Sequence, residues 1–219
     1  MIITIDGPVA SGKSTAARNL ARVLGFDHLD TGALYRSLAL MAVEEGIDPR
    51  DGGAVAEMME RARVGLAGER VFLCGRDVSD LIRRPEVTRA VRPLAENGEV
   101  RTFVRRIERS VAADGNIVAE GRDMGTVVFP DADLKFYLTC TDEERARRRW
   151  EELKERGTPQ DFETVLAELR ERDRADMTRK IAPLKVPEGA VVVDSTGWSA
   201  DETLEALHSI VREKLGERP

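Results

Sequence analysis

The stretch MIITIDGPVASGKSTAARNLARVLG, Met1–Gly25, changes its period halfway along. MIITID is a short β-branched run ending at a glycine, whereas KSTAARNLARVLG carries apolar residues at helical spacing and stops at Gly25. Between them GPVASGKST fits the pattern G-x-x-x-x-G-K-[ST], directly after a strand and opening a helix, where its physics requires it. Gly7 and Gly12 let the backbone curl, so that successive N–H groups and the helix N-terminus face one anion-sized cavity. Gly7, Pro8, Val9, Ala10, Ser11, Gly12, Lys13, Ser14 and Thr15 are the candidate residues for a nucleoside triphosphate. Lys13 is expected to reach the β- and γ-phosphates, and the Ser14 hydroxyl to be a Mg²⁺ ligand.

Further along, FDHLD, NIVAE, LKFYL and AVVVD read as buried strands, each followed by polar or helical sequence. The expected fold class is α/β, a parallel sheet joined by crossover helices. Thr141 with Glu144 and Ser199 with Glu202 fit the capping box, and Thr158 precedes a proline suited to a first helical turn. Between the helix AVAEMMERA and Pro85, VGLAGERVFLCGRDVSD predicts short strands with glycine turns, a small β insertion beside the main sheet.

Composition narrows the function classes. A chain of 219 residues with net charge -6 and ordinary apolar content is neither a disordered segment nor a general nucleic-acid binder. Only six of its 34 basic residues are lysine, and arginine's planar fork suits bidentate phosphate binding. Cys74 and Cys140 make no metal-type spacing, and no apolar run approaches the roughly 20 residues that cross a membrane. The N-terminus is patterned as a folded strand, so the expectation is a cytoplasmic monomer with no membrane and no nucleic-acid partner. His28 and His208 receive no catalytic role.

The acceptor of the γ-phosphoryl group follows from the charges. A GTPase would need a base-reading N-K-x-D element, which the chain lacks. A hydroxyl acceptor calls for a carboxylate to take its proton, whereas a phosphate acceptor is already anionic and calls for gathered cations. Arginines stand at several segment ends: Arg36 in DTGALYR, Arg122 in EGRD, and those of ERARRRW and RERDRADMTRKIAPL. They favour a phosphate acceptor. A hydroxyl-acceptor kinase of the shikimate type is the rival, and a non-catalytic nucleotide sensor is the alternative from another class.

ITIDGPVASGKST, LDTGALYR, EGRDMGTVVFPDA and APL after an arginine-rich helix together resemble bacterial cytidylate kinase, within the P-loop nucleoside monophosphate kinases. The resemblance implies a five-stranded parallel core, a small β-containing monophosphate-binding insertion and a short lid. It places the core at 1–35, 110–145 and 181–219, the monophosphate-binding region at 36–109, and the lid at about 146–160 before a helix over 159–180. The reaction it implies is reversible transfer from ATP, with Mg²⁺, to CMP or dCMP.

Residue by residue, it assigns Arg36 and Arg122 to the acceptor phosphate and Thr31 and Tyr35 to the wall of the monophosphate site. Asp123 and Arg101 resemble the residues that read the cytosine edge, where a carboxylate can accept from the exocyclic amine. Arg145 is expected against the adenine and Arg149 near the phosphates. Where the family has a small hydroxyl residue this chain has Arg92, unless the alignment shifts locally around Pro93 and Gly98. If Pro159 starts the helix, Arg172, Asp176 and Arg179 fall at i, i+4 and i+7, one stripe of one face. Those positions resemble an R-x-x-x-D-x-x-R element in which Asp176 accepts from ribose hydroxyls and Arg172 and Arg179 face phosphates, Arg179 counting with Lys13, Arg36 and Arg122 as catalytic.

Overall fold

A computed structural model describes residues 1–68, 70–113 and 115–216. In chain order the elements are β1 (Ile2–Asp6), α1 (Lys13–Leu24), β2 (Asp27–Asp30), α2 (Thr31–Glu45), α3 (Gly52–Arg61), β3 (Val64–Ala67), β4 (Arg70–Leu73) and β5 (Arg76–Asp77). There follow α4 (Pro85–Glu96), α5 (Gly98–Ala112), β6 (Ile117–Gly121), β7 (Leu134–Thr139), α6 (Asp142–Glu155), α7 (Phe162–Thr178), β8 (Val191–Asp194) and α8 (Ala200–Leu215). Five strands form one sheet in the order β2-β6-β1-β7-β8, and β1 pairs in parallel with both β6 and β7, as β7 does with β8. β1, β2 and β8 lie within the predicted segments, and β6 and β7 each run one residue past theirs, to Gly121 and Thr139.

The chain divides into two units, Met1–Phe26 with Asn116–Pro219, and Asp27–Gly115. In the first, Ile3 and Ile5 of β1, Ala17 and Leu20 of α1, Phe136 and Leu138 of β7, and Leu207 and Val211 of α8 form one buried core. β1 and β6 are buried on both faces along nearly their whole length, which is why they read as runs rather than alternations, whereas Val192 of β8 is exposed. A second cluster joins α6 and α7 through Ala146, Val165, Leu166 and Leu169. Ser199 and Glu202 form the full capping box of α8, whereas at α6 only half of the expected box is present: Thr141 accepts from the Glu144 N–H, but the Glu144 carboxylate is taken by Arg147 and Arg148.

In the second unit, α2 buries Leu34, Leu38 and Leu40 completely or nearly so and packs most extensively on α4. Because α2 is one continuous helix from Thr31, residues 31–35 stay with this unit rather than with the core to which the sequence reading gave them. The β insertion is an antiparallel three-stranded sheet, β3-β4-β5. Its second turn is Cys74–Gly75, both with positive φ, as a two-residue turn between right-twisted strands favours. Glu69, in the first turn, lies outside the described residues.

The helix before the APL turn does not begin at Pro159. It starts at Phe162, where Asp161 caps it by accepting from the Thr164 N–H, while Pro159 lies in the extended connection that Trp150 fixes by donating to the Gln160 carbonyl. The aspartate three residues before Thr164 satisfies an orphan N–H, which a proline at the first turn does not do. The helix also ends at Thr178, so Arg172 and Asp176 share a face and Arg179 sits one residue past the end with extended backbone.

Candidate functional site

The Gly7–Thr15 loop leaves the carboxyl end of β1 and turns into α1. Gly7 is required by close approach: a Cβ there would lie 2.1 Å from the Leu138 carbonyl oxygen of β7. Gly12, at φ 87°, caps the helix in the left-handed region that favours glycine. Lys13 is buried, and its Nζ donates to the Pro8 carbonyl at 3.0 Å. Burial, reinforced by Arg122 and Arg172, brings its pKa down to about 7, with Glu120 and Asp176 pulling the other way. A cation held among cations in a curl of N–H groups is a place prepared for an anion.

Ser14 and Glu120 meet beside the loop. Ser14 Oγ donates to Glu120 Oε1 at 2.6 Å, and β1–β6 register sets Glu120 opposite Ile5. Glu120 was not among the residues expected at the site. Its signal was present in NIVAE, an acid closing an apolar strand run, but only sheet order shows that this strand adjoins the loop. A hydroxyl and a carboxylate side by side are hard oxygen donors that fit Mg²⁺, and among the described residues no group of three or more His, Cys, Asp or Glu forms a metal site.

β6 ends at Gly121, and Arg122 and Asp123 follow. Arg122 Nε donates to Asp176 Oδ2 at 2.9 Å, and Arg179 Nη2 lies 3.5 Å from Asp123 Oδ1 in a buried pair. Burial works against ionisation of Asp176, yet Arg122, Arg179 and Arg172 hold its carboxyl below the usual range. Arg179 Nε also donates to the Ala182 carbonyl at 2.6 Å, fixing the APL turn. The turn after Asp123 is a single π-helical one, Met124–Val128, and Asp6 holds it by accepting from Met124 N–H at 2.9 Å and Gly125 N–H at 2.7 Å. Burial pushes the Asp6 carboxyl up to about 6 against those two donors. Lys13, Ser14, Arg122, Asp123, Arg172, Asp176 and Arg179 thus form one connected set in the first unit.

The lid arginines take different places from those expected. Arg145 is buried in ion pairs with Asp142 and Asp173 and donates to the Val9 carbonyl at 3.0 Å, so its guanidinium is turned into the protein rather than toward a base. Arg149 pairs with Glu152 at 2.7 Å on the helix surface. It is Arg148 that borders the loop, donating to the Ser195 carbonyl at 2.8 Å and lining a cavity of about 180 Å³ with Gly12, Thr15, Trp198 and Thr203. Sequence alone does not choose among neighbouring arginines, because the choice is one of helical phase.

In the second unit, Asp30 caps α2 by accepting from the Ala33 N–H, and Arg36 Nη2 reaches back to Asp30 Oδ2 at 3.0 Å. Burial opposes ionisation of Asp30, but Arg36 and His28 hold its carboxyl below its usual range. Thr31 is buried at the first position of α2. Arg101 on α5 donates to the Ala95 carbonyl at 3.1 Å and lies 5.9 Å from the centre of the Tyr35 ring. Arg92 is exposed on α4, its Nε donating to Glu96 at 3.2 Å.

A profile of cytidylate kinase matches residues 3–213. The chain belongs to the cytidylate kinase family. A cytidylate kinase of Caldanaerobacter subterraneus subsp. tengcongensis is 45% identical over 210 residues, 96% of this chain and 94% of that protein. One of Mycobacterium leprae is 42% identical over 217 residues, 99% of this chain and 97% of its own. The crystal structure of TT1252 from Thermus thermophilus covers 97% of each chain with a TM-score of 0.51 and 23% identity, a likeness of fold. Family membership makes ATP the phosphoryl donor, and no helix among the described residues is long and apolar enough to cross a membrane.

Proposed function

We propose that this member of the cytidylate kinase family transfers the γ-phosphoryl group of ATP to CMP or dCMP, reversibly and in line. The observation that carries the reading is the cationic set at the loop, where Lys13, Arg122, Arg172 and Arg179 converge around Asp176. An anionic phosphate oxygen of the acceptor forms the new P–O bond as the bond to the β-phosphate oxygen of ATP breaks, and ADP leaves. No general base is needed, because the attacking oxygen carries no proton. Lys13, Arg122 and Arg179 offset the charge on the two phosphates, and the Gly7–Thr15 N–H groups hold the donor.

Mg²⁺ would be held by Ser14, with Glu120 accepting from the ligand waters, and when bound it neutralises charge on the β- and γ-phosphates. Arg148 and Trp198 line the cavity beside Gly12 and Thr15, which suits the adenine. Asp176 accepts from ribose hydroxyls and Arg172 turns to phosphate. Asp123 accepts from the exocyclic amine of cytosine, a contact that uracil cannot make. The protein acts as a cytoplasmic monomer.

A panel of CMP, dCMP, UMP, AMP and shikimate with coupled ADP detection tests this. ADP formation fastest with CMP or dCMP is expected. Turnover of shikimate in preference to CMP would overturn it, and ATP binding with no acceptor-dependent ADP would favour the sensor.

A further inference from the structure

The backbone of Val9 in the phosphate loop is gripped at both its N–H and its carbonyl by one buried ion pair. Asp173 Oδ1, on α7, accepts from the Val9 N–H at 3.2 Å, and Arg145 Nη1, on α6, donates to the Val9 carbonyl at 3.0 Å. Arg145 and Asp173 are also bonded to each other, and both are about 5% exposed. The Val9 and Ala10 side chains pack against the apolar cluster that joins α6 to α7. Ala10 takes a positive φ of 57°, a strained conformation for a residue with a Cβ, so something outside the loop has to hold it.

These contacts pose a physical question. Two charges out of water are costly, and an apolar pair of similar volume would hold two helices together as well or better. An apolar pair could not, however, satisfy a peptide N–H and a carbonyl at once. The two peptides that flank Val9, Pro8–Val9 through its N–H and Val9–Ala10 through its carbonyl, also cannot flip while these groups are engaged, and the direction of the following N–H groups depends on them.

We propose that Arg145 and Asp173 are positioning residues for the phosphate-binding loop: they fix the two peptides flanking Val9 and so set the anion cavity, without touching the nucleotide themselves. The proposal rests on the reading of Gly7–Thr15 as the donor site. It makes the α6–α7 pair and residues 9–10 one packed piece, so that order in the lid helices and order in the loop are the same event.

The test measures ADP binding directly by calorimetry, so its outcome does not depend on the acceptor, whose identity the substrate panel decides separately. The variants are Arg145→Met, Asp173→Asn and the double variant. Arg145→Met leaves the buried Asp173 carboxylate without its partner, and Asp173→Asn leaves Arg145 with Asp142 alone; each is expected to lower both the melting temperature and ADP affinity. The double variant removes both charges; it is expected to recover the melting temperature to within a few degrees while ADP binds about tenfold or more weakly, since no donor is left for the Val9 carbonyl. CMP affinity should stay within about twofold of the parent. Recovery of ADP affinity along with stability in the double variant would make the pair merely structural and overturn the proposal, as would parent-like ADP binding in a folded Arg145→Met protein.

Discussion

Arg122 Nε and Asp176 Oδ2 are 2.9 Å apart, joining the residue after β6 to the last turn of α7 across 54 positions of sequence. Both side chains are about four-fifths buried, so the pair is neither a surface ion pair nor fully withdrawn from solvent. An acid held ionised by three arginines beside a phosphate site is ready to accept from a hydroxyl, and removing it also leaves Arg122 unpaired.

Asp176→Ala is therefore expected to raise KM for CMP by roughly 10- to 100-fold, from the loss of about 1.5 to 3 kcal/mol of charge-assisted hydrogen bonding. KM for ATP should move by no more than about twofold. Steady-state kinetics with each substrate varied in turn checks this, and an unchanged KM for CMP would return Asp176 to a purely structural role.

Lys13→Met removes the buried cation of the loop while keeping its length. Loss of one positioned donor is worth about 3 to 4 kcal/mol of transition-state stabilisation, so kcat should fall by roughly two to three orders of magnitude. The melting temperature should hold or rise, because burial disfavours the Lys13 ammonium. Near-normal turnover would refute the role given to this residue.

Gly7→Ala tests the packing beneath the loop. Its Cβ would stand 2.1 Å from the Leu138 carbonyl oxygen, a backbone atom in the middle of the sheet that cannot swing aside. Separation of β1 from β7 should cost about 2 to 3 kcal/mol, read as a lower urea midpoint with an unaltered slope. A parent-like midpoint would mean that the strands adjust freely.

Asp6 gives the pH dependence. Its carboxyl rises from 3.8 to about 6 on folding, so between those values the folded protein holds a proton that the unfolded chain has lost. The contribution of Asp6 to stability is full below about 3.8 and is lost as the pH rises through about 6. The neighbouring charges are Asp123, which adds to the rise, and Arg122, which opposes it. The parent should lose up to about 3 kcal/mol relative to Asp6→Asn from pH 4 to 7, followed by urea unfolding at each pH. Parallel stability curves would show that Asp6 does not titrate in this range.

Much of the molecule was legible in Met1–Leu215 without coordinates. Strand, turn and helix at Ile2–Leu24, the strand runs around Leu29, Val118, Phe136 and Val193, and the capping box at Ser199 are all announced by patterns within a few consecutive residues. Periodicity and turn chemistry report such patterns directly, and the pattern G-x-x-x-x-G-K-S is itself a local device for bending N–H groups around an anion. The helix start at Phe162 is the exception: the sequence reading places it at Thr158–Pro159, whereas the structure places the cap three residues on, at Asp161, whose carboxylate satisfies an N–H. Charge partners are another matter. Sequence supplied the arginines of ERARRRW but not their assignment: Arg145 to Val9 and Asp173, Arg148 to the cavity, Arg149 to Glu152. Nor did it pair Ser14 with Glu120, Asp6 with the Met124–Gly125 turn, or Arg179 with Asp123. Each of those contacts joins elements tens of residues apart, and a difference of 100° in helical phase exchanges one partner for another. The sequence by itself determined the glycine-rich loop between β1 and α1, because bending N–H groups into a helix start is a local matter; which side chains hold that loop in shape was decided only when the helices packed.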